Sequence, residues 1–234
     1  MELNNILFLD IETVPAYRTL GDSPDEYQKL WEIKAAQIDP GQTPDELYPR
    51  AGIYAEFGKI ICISVGHLST REAKRTLRIK SYSGVDERQL LTEFAAMLNK
   101  HFGSTEHYLC AHNGREFDFP YIARRLIINQ VPLPGILDLS GKKPWEVGHI
   151  DTMQLWKFGD FKSYTSLRLL AHIFGLPTPK DDIDGSQVYS VFYDDGDLPR
   201  IVEYCEKDVQ TLVQVYLRMK QQPTLDPEEI ETTQ

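Results

Sequence analysis

The sequence predicts an α/β domain with a central mixed five-stranded sheet flanked by helices. Three observations carry that prediction. Short apolar runs of strand length occur at residues 5–9, 59–68, 76–82, 107–111 and 149–153. Longer stretches with apolar residues on one helical side occur at 86–102 and 198–219. The order of three strands, helix, strand, helix, strand and helices suits layers packed around one sheet.

The elements follow in order. Residues 5–9 (Asn-Ile-Leu-Phe-Leu) are an apolar run ending in Asp10, as a fully buried strand reads. From about 14 to 57 the chain is polar and carries Pro15, Pro24, Pro40, Pro44 and Pro49, which marks a surface insertion after the first strand. Only 24–37 looks helical there, with Ser23 as N-cap and Pro24 in the first turn. Residues 59–68 and 76–82 read as strands joined by a charged turn. In 86–102, Leu90, Leu91, Phe94, Met97 and Leu98 share one helix side. The run at 107–111 leads through Asn113-Gly114 to a helix over 119–129 that Pro120 opens. Residues 131–148 are loop, and 149–153 a short strand. A helix over 166–174 stops at Gly175, and 198–219 is the longest helix. Residues 1–220 thus form a single domain, and 221–234 an acidic, flexible tail.

The chain has 234 residues, 41% hydrophobic and 26% charged, an ordinary globular balance. No apolar stretch approaches the roughly 18 residues of a membrane span, and the first five residues lack the basic start of a signal peptide. Cys62, Cys110 and Cys205 lie far apart, so neither a disulfide framework nor metal spacing is present. A reducing compartment, and hence a cytoplasmic protein, is expected. The formal charge of -10 argues, on its face, against a nucleic-acid partner. Its distribution changes that argument. Residues 21–49 hold seven acids and two bases, and 221–234 hold four acids and no base, which leaves -1 for the remainder.

An acid followed two positions later by another occurs seven times, so Asp10-Ile11-Glu12 carries no weight as a pattern. Its context does, because it closes a buried strand. Carboxylates at i and i+2 point to one side, and ligands of open α/β sheets bind at such a rim. A solvated strand end is the alternative. Asp118 follows a strand and a glycine turn directly ahead of a helix, where an Asp is otherwise an N-cap. Tyr204 and Asp208 stand at i and i+4 of a helix, one turn apart on one side, beside apolar Cys205 and Val209. An amphipathic surface helix is the alternative there. Four carboxylates converging at a sheet edge would require cations, and oxygen ligands select Mg²⁺ or Mn²⁺. Two such ions suit displacement at phosphorus, with a Tyr hydroxyl orienting the water.

Phe-Leu-Asp-Ile-Glu-Thr, Asn-Gly-Arg-Glu-Phe-Asp and Tyr-Cys-Glu-Lys-Asp resemble the three motifs of DEDD 3'–5' exonucleases. The Tyr-x-x-x-Asp spacing resembles the DEDDy branch. His-Ile-Asp-Thr-Met-Gln-Leu-Trp at 149–156 and Pro-Lys-Asp-Asp-Ile-Asp-Gly-Ser-Gln-Val at 179–188 are similar to proofreading domains of family B DNA polymerases. The likeness runs from about Ile6 to Arg218. It implies a ribonuclease H-like (DnaQ-like) fold and release of nucleoside 5'-monophosphates from a free 3' end, with DNA favoured over RNA and a role in DNA repair. It also implies two Mg²⁺ or Mn²⁺ held by Asp10, Glu12, Asp118 and Asp208, with Tyr204 orienting the attacking hydroxide. Ile11, Thr13, Asn113 and Phe117 would contact the substrate, Phe117 as a stacking surface. The 14–57 insertion departs from the pattern, and the remaining length leaves no room for a polymerase domain, so a stand-alone nuclease is expected.

Two rivals remain at this stage. A phosphatase of the haloacid dehalogenase type also begins with an acid after its first strand, but it wants Asp where Glu12 stands and gives no reason for Tyr204 and Asp208. A catalytically silent binding or adaptor module of the same fold is the other. Lesser features read either way. Residues 71–80 hold five basic residues against one acid, as a nucleic-acid groove or a protected edge strand would. Lys142, Lys143 and Trp145 suit phosphate and base contacts, or a loop that its Trp anchors to the core. Asp151 reads as a cap, Asp181, Asp182 and Asp184 as a turn, and His112 as a core or turn residue.

Overall fold

A computed structural model describes residues 2–71, 74–160, 164–177 and 183–233. Six strands form one mixed sheet: β1 (Ile6–Pro15), β2 (Gly58–Arg71), β3 (Lys74–Ser83), β4 (Tyr108–Ala111), β5 (Ile150–Asp151) and β6 (Ile230–Thr233). Their spatial order is β5-β4-β1-β2-β3-β6. β1, β2 and β3 are antiparallel neighbours, whereas β4, β5 and β6 join in parallel pairings. The helices are α1 (Asp25–Ile38), α2 (Pro44–Leu47), α3 (Glu87–His101), α4 (Asp118–Ile128), α5 (Thr152–Lys157), α6 (Leu167–Ile173), α7 (Val188–Ser190) and α8 (Leu198–Met219).

The period of two along β1 builds the layers. Leu7, Leu9 and Ile11 pack with Leu91 and Phe94 of α3 and with Phe119 and Ile122 of α4. Ile6 and Phe8 pack on the opposite face with Val209, Leu212, Val213 and Tyr216 of α8. Asp10 and Glu12 therefore belong to the α8 face. Gly66 of β2 lets α8 come close, because a Cβ there would lie 2.8 Å from Val209 Cγ1.

The long helices agree with the hydrophobic pattern, α8 to the residue. Several expectations need correction. β1 does not end at Asp10 but runs on to Pro15 against β2, so both carboxylates lie within a strand. Its polar residues broke the apolar run without breaking the hydrogen-bond ladder. Residues 149–153 are strand only at Ile150–Asp151, after which Asp151 caps α5. Finally, the sheet has six strands, not five, because β6 comes from the segment read as a flexible tail. That segment is fastened by polar groups that hydrophobic patterning does not register. Gln214 exchanges two 2.9 Å hydrogen bonds with the Leu225 backbone, and Arg75 donates to the carbonyls of Pro223 and Thr224.

The insertion between β1 and β2 is a packed unit with its own small core of Leu20, Trp31, Ala35, Leu47 and Tyr48. Ser23 does not cap α1; its hydroxyl donates to the Leu20 carbonyl instead. Among the described residues no helix is long and apolar enough to cross a membrane.

One buried ion pair joins the insertion to the helices. Glu87, 7% exposed, accepts from the Ile60 amide at 2.7 Å, from the Arg125 guanidinium and from Asn129. Arg125 also donates to the Ala55 carbonyl at 2.8 Å. Removing one partner strands the other charge in the core. Glu87→Ala is expected to lower stability by ~3–5 kcal/mol, measured as a reduced midpoint in urea unfolding.

Candidate active site

β1, α4 and α8 supply the candidate residues. Asp10 and Glu12 project from β1 toward α8, and Glu12 is buried. A bulge lies beside them: Glu12 pairs with Cys62 and Thr13 with Ile60, so Ile61 is an extra residue on β2. Bulges re-aim neighbouring side chains and recur next to active sites. From α8, Cys205 reaches Asp10, its thiol donating to the backbone carbonyl and to Oδ2 at 3.5 Å each. Ligand atoms of Asp10, Glu12 and Cys205 all lie within 4.8 Å of one another. Tyr204 hydrogen-bonds Asp208 one turn further along α8.

Asp118 opens α4 as its first residue, with Phe117 in the N-cap position. It is not a simple cap. It is 2% exposed and accepts hydrogen bonds from its own amide and from that of Ile11. The turn before it is shaped by Asp151, which accepts from the amides of Asn113 and Arg115 at 3.1 Å each and from those of Met153 and Gln154. Asn113 adopts a left-handed φ of 65°, a conformation that Asn tolerates better than most residues. A Cβ on Gly114 would lie 2.4 Å from that of Ala111, so the turn needs glycine there.

The electrostatics follow from burial and crowding. The Asp10 carboxyl is held well above the usual carboxylate range by burial, then by the charges of Asp118, Asp208 and Glu12. Glu12 is raised in the same way, by burial and then chiefly by Asp208. Burial pushes Asp118 up to about 7, against the backbone hydrogen bond from its own amide, and the Asp151 charge adds to the rise. Burial and the charges of Asp208, Glu12 and Asp10 push the Tyr204 phenol far above its ordinary value. These mutually repelling oxygen donors fit a hard divalent cation, which would compensate the charge burial penalises.

The structure thus brings Asp118 and Asp208 within the fields of Asp10 and Glu12, and Tyr204 within those of Asp208, Glu12 and Asp10. Ile11 packs its side chain into the core, and only its amide reaches Asp118. Thr13 touches the Tyr121 hydroxyl, and Phe117 packs its ring 5.3 Å from that of Tyr121. Asn113 Oδ1 is buried without a hydrogen-bond partner among the described residues.

Sequence reasoning missed Cys205 as a neighbour of Asp10. A polar chain also reaches this region from β3: Glu206 accepts from Ser81, Ser81 meets Ser64, and Ser64 meets Cys62. The position of Cys205 between Tyr204 and Asp208 on the buried stripe was the available signal. His112 bridges Thr152 and the Thr165 carbonyl, a turn role as expected. Asp184 bonds Ser186 in a turn, whereas Asp181 and Asp182 lie outside the described residues. Arg75 and Arg78 of the basic strand are engaged by the C-terminal segment. The side chain of Arg71 lies outside the described residues. Trp145 does not anchor its loop; it is 78% exposed.

Residues 53–234 match the family model described as "Predicted 3'-5' exonuclease related to the exonuclease domain of PolB". The chain belongs to this exonuclease family. The match covers Asp118, Tyr204 and Asp208, while Asp10 and Glu12 precede it. The fold is also similar to a family B DNA polymerase from the hyperthermophilic archaeon Pyrobaculum calidifontis, with a TM-score of 0.57 at 16% identity. That likeness covers 91% of this chain and 24% of the polymerase, and it supports a ribonuclease H-like fold for the exonuclease. No curated protein matches the chain in sequence.

The Asp151 cap gives a direct check on how the Asp118 turn is built. Asp151→Ala should cost ~2 kcal/mol, the upper end for a capping residue. Hydrogen exchange at the amides of residues 113, 115, 153 and 154 should quicken more than elsewhere in the chain.

Proposed function

We propose that the chain is a stand-alone 3'–5' exonuclease hydrolysing phosphodiester bonds from the 3' end of single-stranded or frayed nucleic acid. DNA is the favoured substrate, and nucleoside 5'-monophosphates are the products. The convergence of Asp10, Glu12, Asp118, Tyr204 and Asp208 from three elements carries this reading. Asp10, Glu12, Asp118 and Asp208 would hold two Mg²⁺ or Mn²⁺ ions. Bound there, such ions lower the pKa of water and neutralise charge on the leaving oxygen.

The side chains supply the rest. Tyr204 keeps its proton beside three carboxylates, so it positions the attacking water and does not act as a base. The unpartnered Asn113 Oδ1 offers an acceptor to a terminal nucleotide. Phe117, half-buried beside Thr13 and Tyr121, offers a face on which the last base can stack.

Digestion of 3'-labelled single-stranded DNA and RNA tests this reading. Asp208→Ala should lower cleavage by at least ~10²-fold, and EDTA should abolish it. Activity that survives either treatment rejects the assignment, and a wild type that binds strands without cutting them is a silent module. Tyr204→Phe separates positioning from metal binding. Cleavage should fall by ~10²-fold for a misplaced nucleophile, while Mn²⁺ affinity measured by electron paramagnetic resonance stays the same.

A further inference from the structure

A cavity of about 790 Å³ opens on the face of α4 turned away from the sheet. That size and its largely apolar lining are typical of ligand sites. Its floor is aliphatic, with Ile127, Leu133, Leu137 and Val147. Arg124, Lys142 and Lys157 stand on its rim, and none of the three has an ion pair or side-chain hydrogen bond among the described residues. Arg115 also lines it, but its guanidinium is spent on the carbonyls of Val147 and His149, which fixes the loop wall. Glu116 and Asp138 are the acids of the lining, so it stays cationic in a chain of charge -10.

Two exposed aromatic residues follow lining residues in the chain, Trp145 after Pro144 and Phe158 after Lys157. Trp145 is 78% exposed, with the Lys143 ammonium 5.3 Å from its ring centre. Phe158, the residue after Lys157, is 92% exposed. Exposed rings interleaved with cations can stack bases between phosphate contacts. The cavity also shares one turn of the chain with the candidate active site. Arg115 and Glu116 line it, and the same turn ends in Phe117 and Asp118.

We infer that this cavity and its aromatic lip hold single-stranded nucleic acid, several nucleotides from the 3' end presented to the carboxylates. The inference rests on the exonuclease reading for the identity of the strand. An acidic peptide would satisfy the cations but gives no reason for the exposed rings or for the junction with the Asp118 turn. The site would supply phosphate contacts that the acidic chain otherwise devotes to its own C-terminal segment.

The test compares a dinucleotide with a strand of roughly 12 nucleotides, within the usual span of single-strand sites. Binding is followed by fluorescence anisotropy of the full chain in EDTA, and cleavage is followed in Mg²⁺. The combined variant Arg124→Gln, Lys142→Gln, Lys157→Gln should weaken long-strand binding at least ~10-fold and reduce its salt slope by about 2. Trp145→Ala should weaken it by roughly 10-fold through lost stacking. Dinucleotide cleavage should be unchanged in both. Unaltered long-strand affinity and slope in the combined variant overturns the inference and leaves the nuclease reading standing. Absence of all cleavage by the wild type rejects the nuclease reading instead, while the binding comparison still decides the cavity. Displacement of the long strand by a free mononucleotide would overturn the inference in favour of a product site. So would a dimer, seen by sedimentation, that the combined variant dissociates at unchanged strand affinity, in favour of a second copy.

Discussion

The alternation of side chains along β1 is the constraint on which the remaining structure depends. Leu7, Leu9 and Ile11 belong to the layer of α3 and α4, while Ile6 and Phe8 belong to α8. Asp10 and Glu12 inherit the α8 face because they continue that even-numbered series. A slip of one residue would drive both carboxylates into an apolar core and turn the leucines toward α8. Hydrophobic burial on both faces therefore sets the register, and the register delivers the acids. The energy that holds charged groups together comes from the apolar residues before them in the same strand.

The same logic explains the net charge. Nine units of negative charge fall at 21–49, within the insertion, and in the C-terminal segment. The second of these lies on β3, where Arg75 contacts Pro223, Thr224 and Glu229, and Arg78 meets Glu231. An exposed pair such as Arg78–Glu231 contributes little to stability, but both contacts remove basic groups from any groove. Arg75 and Arg78 of the basic strand are thus partnered within the chain, whereas Arg124, Lys142 and Lys157 have no side-chain partner among the described residues. Net charge is a poor guide to binding when the charges are already spoken for.

Much of this was legible in the residues, and the failures have physical causes. α3 and α8 carry an apolar stripe that periodicity located, and Pro120 marked the start of α4. The motif acids stood out by context, Asp10 and Glu12 at the end of an apolar run, Asp118 after a glycine turn, and Asp208 beside the apolar stripe of a helix. β1 was cut short because Asp10, Glu12 and Thr13 are polar, although the backbone ladder is indifferent to side-chain polarity. β6 was missed because Gln214 and Arg75 fasten its approach by hydrogen bonds to backbone carbonyls. Cys205 was read as one more apolar residue, and its contact with Asp10 appears only once helix and strand are docked.

The site's parts are held with unequal firmness. Asp10 and Glu12 sit in a strand paired with β2 along its length and with β4 up to Phe8, and Tyr204, Cys205 and Asp208 share one helix clamped over Gly66. Asp118 alone depends on a turn, and that turn depends on a left-handed Asn, a glycine without room for a methyl, and the amides gathered by Asp151. Strain of this kind persists only when its surroundings over-determine it. Asp151 does so by serving two structures at once, capping α5 and closing the Asp118 turn. The carboxylate that stands at a helix start is therefore placed by another carboxylate, and the charge of Asp151 raises the cost of ionising Asp118 while its hydrogen bonds hold the turn.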